Sequence, residues 1–329
     1  MRNIEKFLEE NYSEDEPIIL GCSTWPDSMF ILYKILETKY AKNIVACYFN
    51  HKLRDQSDEE ESFIEKLWVE KWFKVEIAEA NIKDIRDKFY PSKWIEEVAR
   101  DKRYAFFNAL LNIYNTNKVI TWHHLDDKIE TFFFNMARWT KLTWLINMTE
   151  KSWNIYRPLL DIEKNDIVKY LEENNLKYFI DESNYDKTIT RNKLRHDIIP
   201  EFKSVNSNYK ENINNLIGYL KDVKDFIDDE IKKFLDEQWL IIFNSWKYKI
   251  NTLEINWYFY IEDFNKLNTL LQKEIIRHIY YISNWNSTIG LSIANINEVI
   301  KFINWKNNKT VKEIKEMKLE KNNTIIIFK

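Results

Sequence analysis

The chain has 329 residues, 45% apolar and 31% charged, enough to bury the cores of two domains and too mixed in charge for a disordered polymer. A formal net charge of −3 excludes a general polyanion binder, so any nucleic-acid contact has to come from local basic patches. Cys22 and Cys47 form no C-x-x-C pair, the stretch from Met1 to Glu16 is too charged for a targeting peptide, and no apolar run reaches about 18 residues; a disulfide framework, a metal-ligand cluster and a membrane span are therefore not expected, and a reducing cytoplasm is.

In chain order, residues 18–22, 43–49, 73–78 and 118–122 are short continuous apolar runs, the pattern of strands buried on both faces of a parallel sheet. Helical periodicity fills the intervals at 28–38, 59–72, 82–89, 95–114 and 127–137. Alternating strands and helices predict an α/β fold, a doubly wound, mainly parallel sheet over residues 1–200. A mostly helical domain is expected over 201–329: a helix precedes it at 166–174, an amphipathic helix runs over 209–234, segments 240–250 and 252–260 alternate like a hairpin, and helices follow at 267–283 and 292–303. Ligands of doubly wound sheets bind at the C-terminal ends of the strands, where Ser23, His51 and His123 fall.

The first strand leads into Ser23-Thr24-Trp25-Pro26-Asp27-Ser28 and then a helix. The hydroxyls of Ser23 and Ser28, with N–H groups of the turn and helix start, suit a pyrophosphate, and Asp27 suits Mg²⁺. A simple helix cap explains the same residues equally well. Later, His123-His124-Leu125-Asp126-Asp127-Lys128-Ile129-Glu130 opens another helix, with Asp127 and Glu130 one turn apart on one face, a pair for an ammonium or a metal. First-turn acids at a helix start are the plain alternative. Arg100 and Arg103 face either phosphate or solvent, and Arg191 and Arg195, one turn apart, suit phosphate or RNA backbone, or belong to a solvated face.

Taken in order, these segments resemble the tRNA(Ile)-lysidine synthetase family of PP-loop ATP pyrophosphatases, strongly over residues 15–205. Ser23 to Ser28 resembles its SGGxDS loop. Asn50-His51-Lys52-Leu53-Arg54 with Ser57 and Glu60 resembles dHgLRxxSxxE; Ile95-Glu96-Glu97-Val98-Ala99-Arg100 resembles IEExAR; His123 to Thr131 resembles GHHxDDxxET; and Arg138 onward resembles RGxxxxGL. Arg157-Pro158-Leu159-Leu160, Asp181-Glu182-Ser183-Asn184 and Arg191-Asn192-Lys193-Leu194-Arg195 resemble RPLL, D-x-S-N and RNxxR.

Against these motifs the 13 tryptophans and only 3 glycines acquire a pattern. Trp25, Trp122, Trp139 and Trp144 stand where the family carries glycine, and the reading extends to Trp72, Trp94 and Trp153. The expectation is a gene whose UGA codons mean glycine, translated as tryptophan; decay of an enzyme would not choose tryptophan repeatedly while sparing Asp27, Asp127, Glu130 and Arg195. Thr24 also departs from the family's glycine, and a small hydroxyl residue is expected to be tolerated there.

The resemblance implies a ligase acting on ATP, L-lysine and an isoleucine tRNA with a CAU anticodon. The C2 oxygen of the wobble cytidine attacks the α-phosphate, pyrophosphate leaves, and the lysine ε-amine displaces AMP to give lysidine. ATP would lie on Ser23, Thr24, Trp25, Pro26, Asp27 and Ser28 with Mg²⁺ on Asp27. Asp127 and Glu130 would recognise lysine, His123 or His124 would move a proton or contact nucleotide, and Arg100, Arg191 and Arg195 would meet phosphate or RNA. A homodimer is compatible with this reading. The alternatives are another PP-loop tRNA-modifying enzyme such as a 2-thiolation enzyme, for which Cys22 and Cys47 are poorly suited, and a non-catalytic RNA-binding relic.

Overall fold

A computed structural model describes residues 4–54, 56–138, 142–146, 148–180, 190–244, 257–284, 290–306, 310–315 and 317–328, the side chains of 190–191, 239–244 and 257 excepted. The chain divides into two compact units, Met1–Gly218 and Tyr219–Lys329.

In the first unit, α1 (Ile4–Asn11) precedes β1 (Ile18–Cys22), α2 (Pro26–Leu36) and β2 (Ile44–Asn50). Then come α3 (Ser57–Lys71), β3 (Lys74–Glu79), α4 (Ile82–Phe89), α5 (Ile95–Ile113), β4 (Val119–Ile120) and α6 (Leu125–Ala137). The short α7 (Leu142–Leu145), β5 (Lys151–Ser152) and β6 (Ile155–Tyr156) lead to α8 (Lys164–Glu173), α9 (Thr190–Lys193), α10 (Phe202–Val205) and the long α11 (Tyr209–Asn244), inside which the division between units falls. The sheet order is β3-β2-β1-β4-β6-β5, parallel except for the β5–β6 hairpin.

This is the expected doubly wound sheet, and its logic is apolar burial. All five residues of β1 are buried, with Ile18, Ile19 and Leu20 wholly so. Each such aliphatic side chain contributes about 1.5–3 kcal/mol. Ile18 and Leu20 join a core with Phe7, Phe30 and Ile44 on one face, while Ile19 packs with Val45, Phe107 and Val119 on the other. Gly21 is required by close approach, because a Cβ there would lie 2.8 Å from both Phe107 and Trp122. β3, with Lys74, Glu76 and Glu79, is only partly buried, as a charged edge strand should be.

The second unit holds the C-terminal part of α11, then β7 (Trp257–Tyr260), α12 (Ile261–Lys266), α13 (Thr269–Ser283), α14 (Ile293–Ile303), β8 (Thr310–Ile314), β9 (Met317–Asn322) and β10 (Ile325–Phe328). Its helices pack with an antiparallel sheet, β7-β10-β9-β8, around Phe259, Phe264, Ile276, Phe302 and Ile326. Two expectations are corrected. Residues 240–244 continue α11 as helix instead of starting a strand, and the strand at Trp257–Tyr260 pairs with β10, the last strand of the chain's described residues, while residues 245–256 of the expected hairpin lie outside the described residues. The sheet strands β8 to β10 were not anticipated. Among the described residues, no helix is long and apolar enough to cross a membrane.

Candidate functional site

β1, β2, β4 and β6 run parallel, so the residues that follow them share one sheet edge. Ser23, His51, His123 and Arg157 occupy those positions.

After β1 the backbone turns through Thr24 at φ 61° and enters α2 with Pro26 in its first turn. Ser28 closes the turn: its Oγ accepts from the Ser23 N–H at 3.1 Å and donates to the Trp25 carbonyl at 3.0 Å, with the Ser23 hydroxyl 3.2 Å away. Thr24 is fully buried in a left-handed conformation, which costs a β-branched residue about 1–2 kcal/mol. Its hydroxyl donates to the Ser23 carbonyl at 2.6 Å, a local bond that offsets part of that cost. Trp25 itself is extended (φ −81°, ψ 164°), its indole under the Arg54 guanidinium at 5.1 Å and its Nε1 buried without an acceptor.

Asp27, 6% exposed, is where several elements meet. Its Oδ2 accepts from Lys164 Nζ of α8 at 2.5 Å, and its Oδ1, 3.7 Å from His124 Nε2, is buried without a hydrogen-bond donor. Among the described residues no cluster of three or more His, Cys, Asp or Glu side chains suits a metal. A magnesium ion on phosphates needs only one or two carboxylates, and the orphan Oδ1 fits that requirement.

The start of α6 supplies the second half of the site. Asp127 Oδ2 accepts from the His124 N–H at 3.1 Å and lies 3.4 Å from His124 Nε2. Arg195 forks across both carboxylates, Nε to Glu130 Oε1 at 2.5 Å, Nη2 to Glu130 Oε2 at 3.0 Å and to Asp127 Oδ1 at 3.3 Å. Burial would lower the pKa of His124, but Asp127, Asp126 and Asp27 outweigh it and push the imidazole up to about 9. His123 goes the other way, burial pushing it down to about 4. Its Nδ1 is 3.1 Å from Thr121 Oγ1. Burial raises Asp127 less than His124, His123 and Arg195 lower it, so it stays below the ordinary carboxylate range, whereas burial holds Glu130 above it despite Arg195. The site thus contains a charged and a neutral imidazole side by side.

The structure brings Ser23, Thr24, Trp25, Pro26, Asp27, Ser28, His123, Asp127, Glu130 and Arg195 into connected elements. Arg100 is exposed beside Tyr104 at 5.3 Å. The side chain of Arg191, Trp139 and residues 181–184 lie outside the described residues. Sequence reasoning missed Lys164 and Asp126, which look like a solvated lysine and a first-turn acid until folding brings their partners up. Arg157 enters the sequence reading only as part of the RPLL-like segment, with no role; the residue is 7% exposed, its Nη1 donates to the Thr149 carbonyl at 2.9 Å and its Nε has no acceptor. Its place after the strand was the available signal.

The PP-loop domain profile matches residues 1–202. The tRNA(Ile)-lysidine synthase of Caldanaerobacter subterraneus subsp. tengcongensis is 27% identical over 307 residues, covering 92% of this chain and 62% of that protein. That of Thermosipho africanus is 31% identical over 238 residues, 69% of this chain and 55% of the relative. The chain therefore spans little more than half the length of such relatives. Among solved structures, the U34-tRNA thiolase NcsA of Methanococcus maripaludis with its [4Fe-4S] cluster superposes with a TM-score of 0.53 at 18% identity, covering 66% of this chain and 77% of that one, a likeness of fold.

Proposed function

The chain belongs to the PP-loop domain family, and from that premise we propose that it ligates lysine to C2 of the wobble cytidine of a CAU-anticodon isoleucine tRNA, at the expense of ATP. The observation that carries this reading is the bridging position of His124, 3.7 Å from Asp27 of the phosphate loop and 3.4 Å from Asp127 of the acidic pair. One imidazole joins a place for a nucleotide's phosphates to a place for an ammonium. The names of the relatives supply the chemistry.

On this reading the N-terminal N–H groups of α2 and the Ser23 and Ser28 hydroxyls cradle the β- and γ-phosphates. The cytidine C2 oxygen attacks the α-phosphorus and pyrophosphate departs. Magnesium held by Asp27 Oδ1 would draw off the charge gathering on the leaving group. The lysine ammonium shares Asp127 and Glu130 with Arg195. After losing a proton, its ε-nitrogen attacks C2 and AMP leaves with the former C2 oxygen. His123, kept neutral by burial that pushes it down to about 4, is too weak a base to hold that proton, so its part on this reading is to pass the proton on or to contact the nucleotide. A cluster-dependent thiolation is disfavoured because Cys22 and Cys47 are both buried and burial pushes both thiols up, Cys22 to about 11. AMP release that requires both L-lysine and a CAU-anticodon tRNA is the expected result; AMP release indifferent to lysine would overturn the assignment.

The proposal extends to the tryptophans: the natural residues at Trp25, Trp72, Trp94, Trp122, Trp139, Trp144 and Trp153 are glycines encoded by UGA. Supporting it, Trp72 and Trp153 lie in left-handed backbone, φ 59° and 55°, with 88% and 94% of their surface in solvent. UGG codons at these positions would refute it. At the loop, Trp25→Gly is expected to strengthen ATP binding by removing an indole from beside the phosphates, and equal affinity of the two chains would dispose of this steric argument.

A further inference from the structure

We infer that Lys164, a residue of no motif above, is a phosphate-binding side chain whose ammonium contacts the terminal phosphates of the nucleotide held by the Ser23–Ser28 loop. The inference rests on the reading of that loop as a phosphate site.

Lys164 is held at both ends. Its backbone N–H donates to Asp126 Oδ2 at 2.8 Å, and its Nζ reaches Asp27 Oδ2 at 2.5 Å. It is the first residue of α8, and its ammonium lies on Asp27 in the first turn of α2. A helix N-terminus carries partial positive charge and disfavours a cation. Lys164 therefore stands against two helix dipoles at once, with Asp27 as its carboxylate counter-charge among the described residues. An ammonium has three donors, and the side chain keeps 35% of its surface exposed, so it can serve a second acceptor without leaving the site. Asp27, by contrast, is 6% exposed and its Oδ1 has no donor. Positive charge from two helix ends and a lysine, converging around an acid with a free inner oxygen, is balanced by a polyanion arriving with its own metal. A compact ammonium suits the non-directional charge of β- and γ-phosphates.

The test is nucleotide binding without tRNA or lysine, on the unchanged chain and on Trp25→Gly, each with Lys164→Met and Lys164→Arg. Lys164→Met is expected to weaken ATP and pyrophosphate by about tenfold or more while leaving AMP within about twofold, and Lys164→Arg to restore most of the loss. Equal losses for ATP and AMP, or no loss, overturn the inference and leave the loop assignment standing. No nucleotide binding by either parent overturns both. Because the Met variant can misfold, amine acylation of the unsubstituted chains read by mass spectrometry gives a second measure. Pyrophosphate should slow modification of Lys164 and AMP should not; absence of protection by pyrophosphate counts against the contact.

Discussion

Trp72 and Trp153 show what a single residue costs when its backbone wants glycine. Trp72 caps the C-terminus of α3 in the left-handed conformation, and Trp153 takes positive φ at the first position of the two-residue β5–β6 turn, both habitual glycine positions. Neither indole gains burial in return. Trp72→Gly and Trp153→Gly are each expected to raise unfolding free energy by about 1 kcal/mol in denaturant titrations. Trp94→Gly, at an extended N-cap (φ −70°, ψ 149°), should give no such gain. A gain of the same size at Trp94 would show that loss of an exposed indole, not relief of backbone strain, was being measured. His124 offers a pH-dependent test at the same scale. Its folded pKa of about 9 lies above the ordinary value of 6.5, so its stabilisation is complete below about pH 6.5 and disappears as pH rises through about 9. The difference corresponds to about 3 kcal/mol. His124→Gln should flatten the alkaline limb of stability against pH, and an unchanged limb would assign that limb to other groups.

Between elements, Asp126 is the tie. From α6 it accepts the Lys164 N–H at 2.8 Å, capping α8, whose own N-cap residue Glu163 forms no side-chain cap, and it pairs with Lys210 of α11 at 2.7 Å. Burial alone would raise its pKa, but His124, Lys164 and Lys210 more than reverse that, so its contribution is present at neutral pH and lost on acidification. Asp126→Ala is expected to cost about 2 kcal/mol and Asp126→Asn, which keeps an acceptor for the cap, about half that; equal costs would mean that the charge with Lys210 and His124 dominates over the cap. Such a tie explains why the sequence disclosed elements better than their connections. β1 and β2 were legible because both faces are buried and the apolar run is unbroken. β5 and β6, two residues each, are too short for any periodicity. In β9 a real alternation, with Met317, Leu319 and Lys321 buried, was disguised by a buried lysine whose Nζ donates to the Ile303 carbonyl at 2.7 Å. At residues 240–244 the expected strand is helix instead, because aromatic and β-branched residues there also continue a helix. Within the site, loop residues, the α6 acids and Arg195 were readable from spacing, whereas Lys164 carries no local signal and the pairings of Arg195 with Glu130 and of Lys164 with Asp27 join residues distant in sequence.

For the whole molecule, a net charge of −3 constrains how the proposed RNA substrate can be held. Non-specific affinity rises with the number of phosphates neutralised, and an acidic chain has to concentrate cations where it needs them. At the sheet edge Arg157 is buried after β6, Arg103 lies over Trp122 at 5.1 Å and Arg100 is exposed on α5, and none of the three has a carboxylate partner among the described residues. Burial lowers the pKa of both Arg103 and Arg157, yet an arginine remains charged at any physiological pH, so the charge persists and awaits an anion. His51, pushed down to about 4 by burial and by Arg103 and Arg54, adds no charge to this edge at neutral pH. RNA binding should therefore depend on salt through a few contacts here. Arg100→Gln and Arg103→Gln should each flatten the slope of log K against log salt by about 0.7–0.9, for a CAU-loop hairpin and an unrelated hairpin alike, because phosphate contacts carry no sequence information. Slopes that do not move on either substitution would place the RNA elsewhere on the molecule. A loss confined to the CAU loop would make these arginines readers of the anticodon bases instead of its backbone.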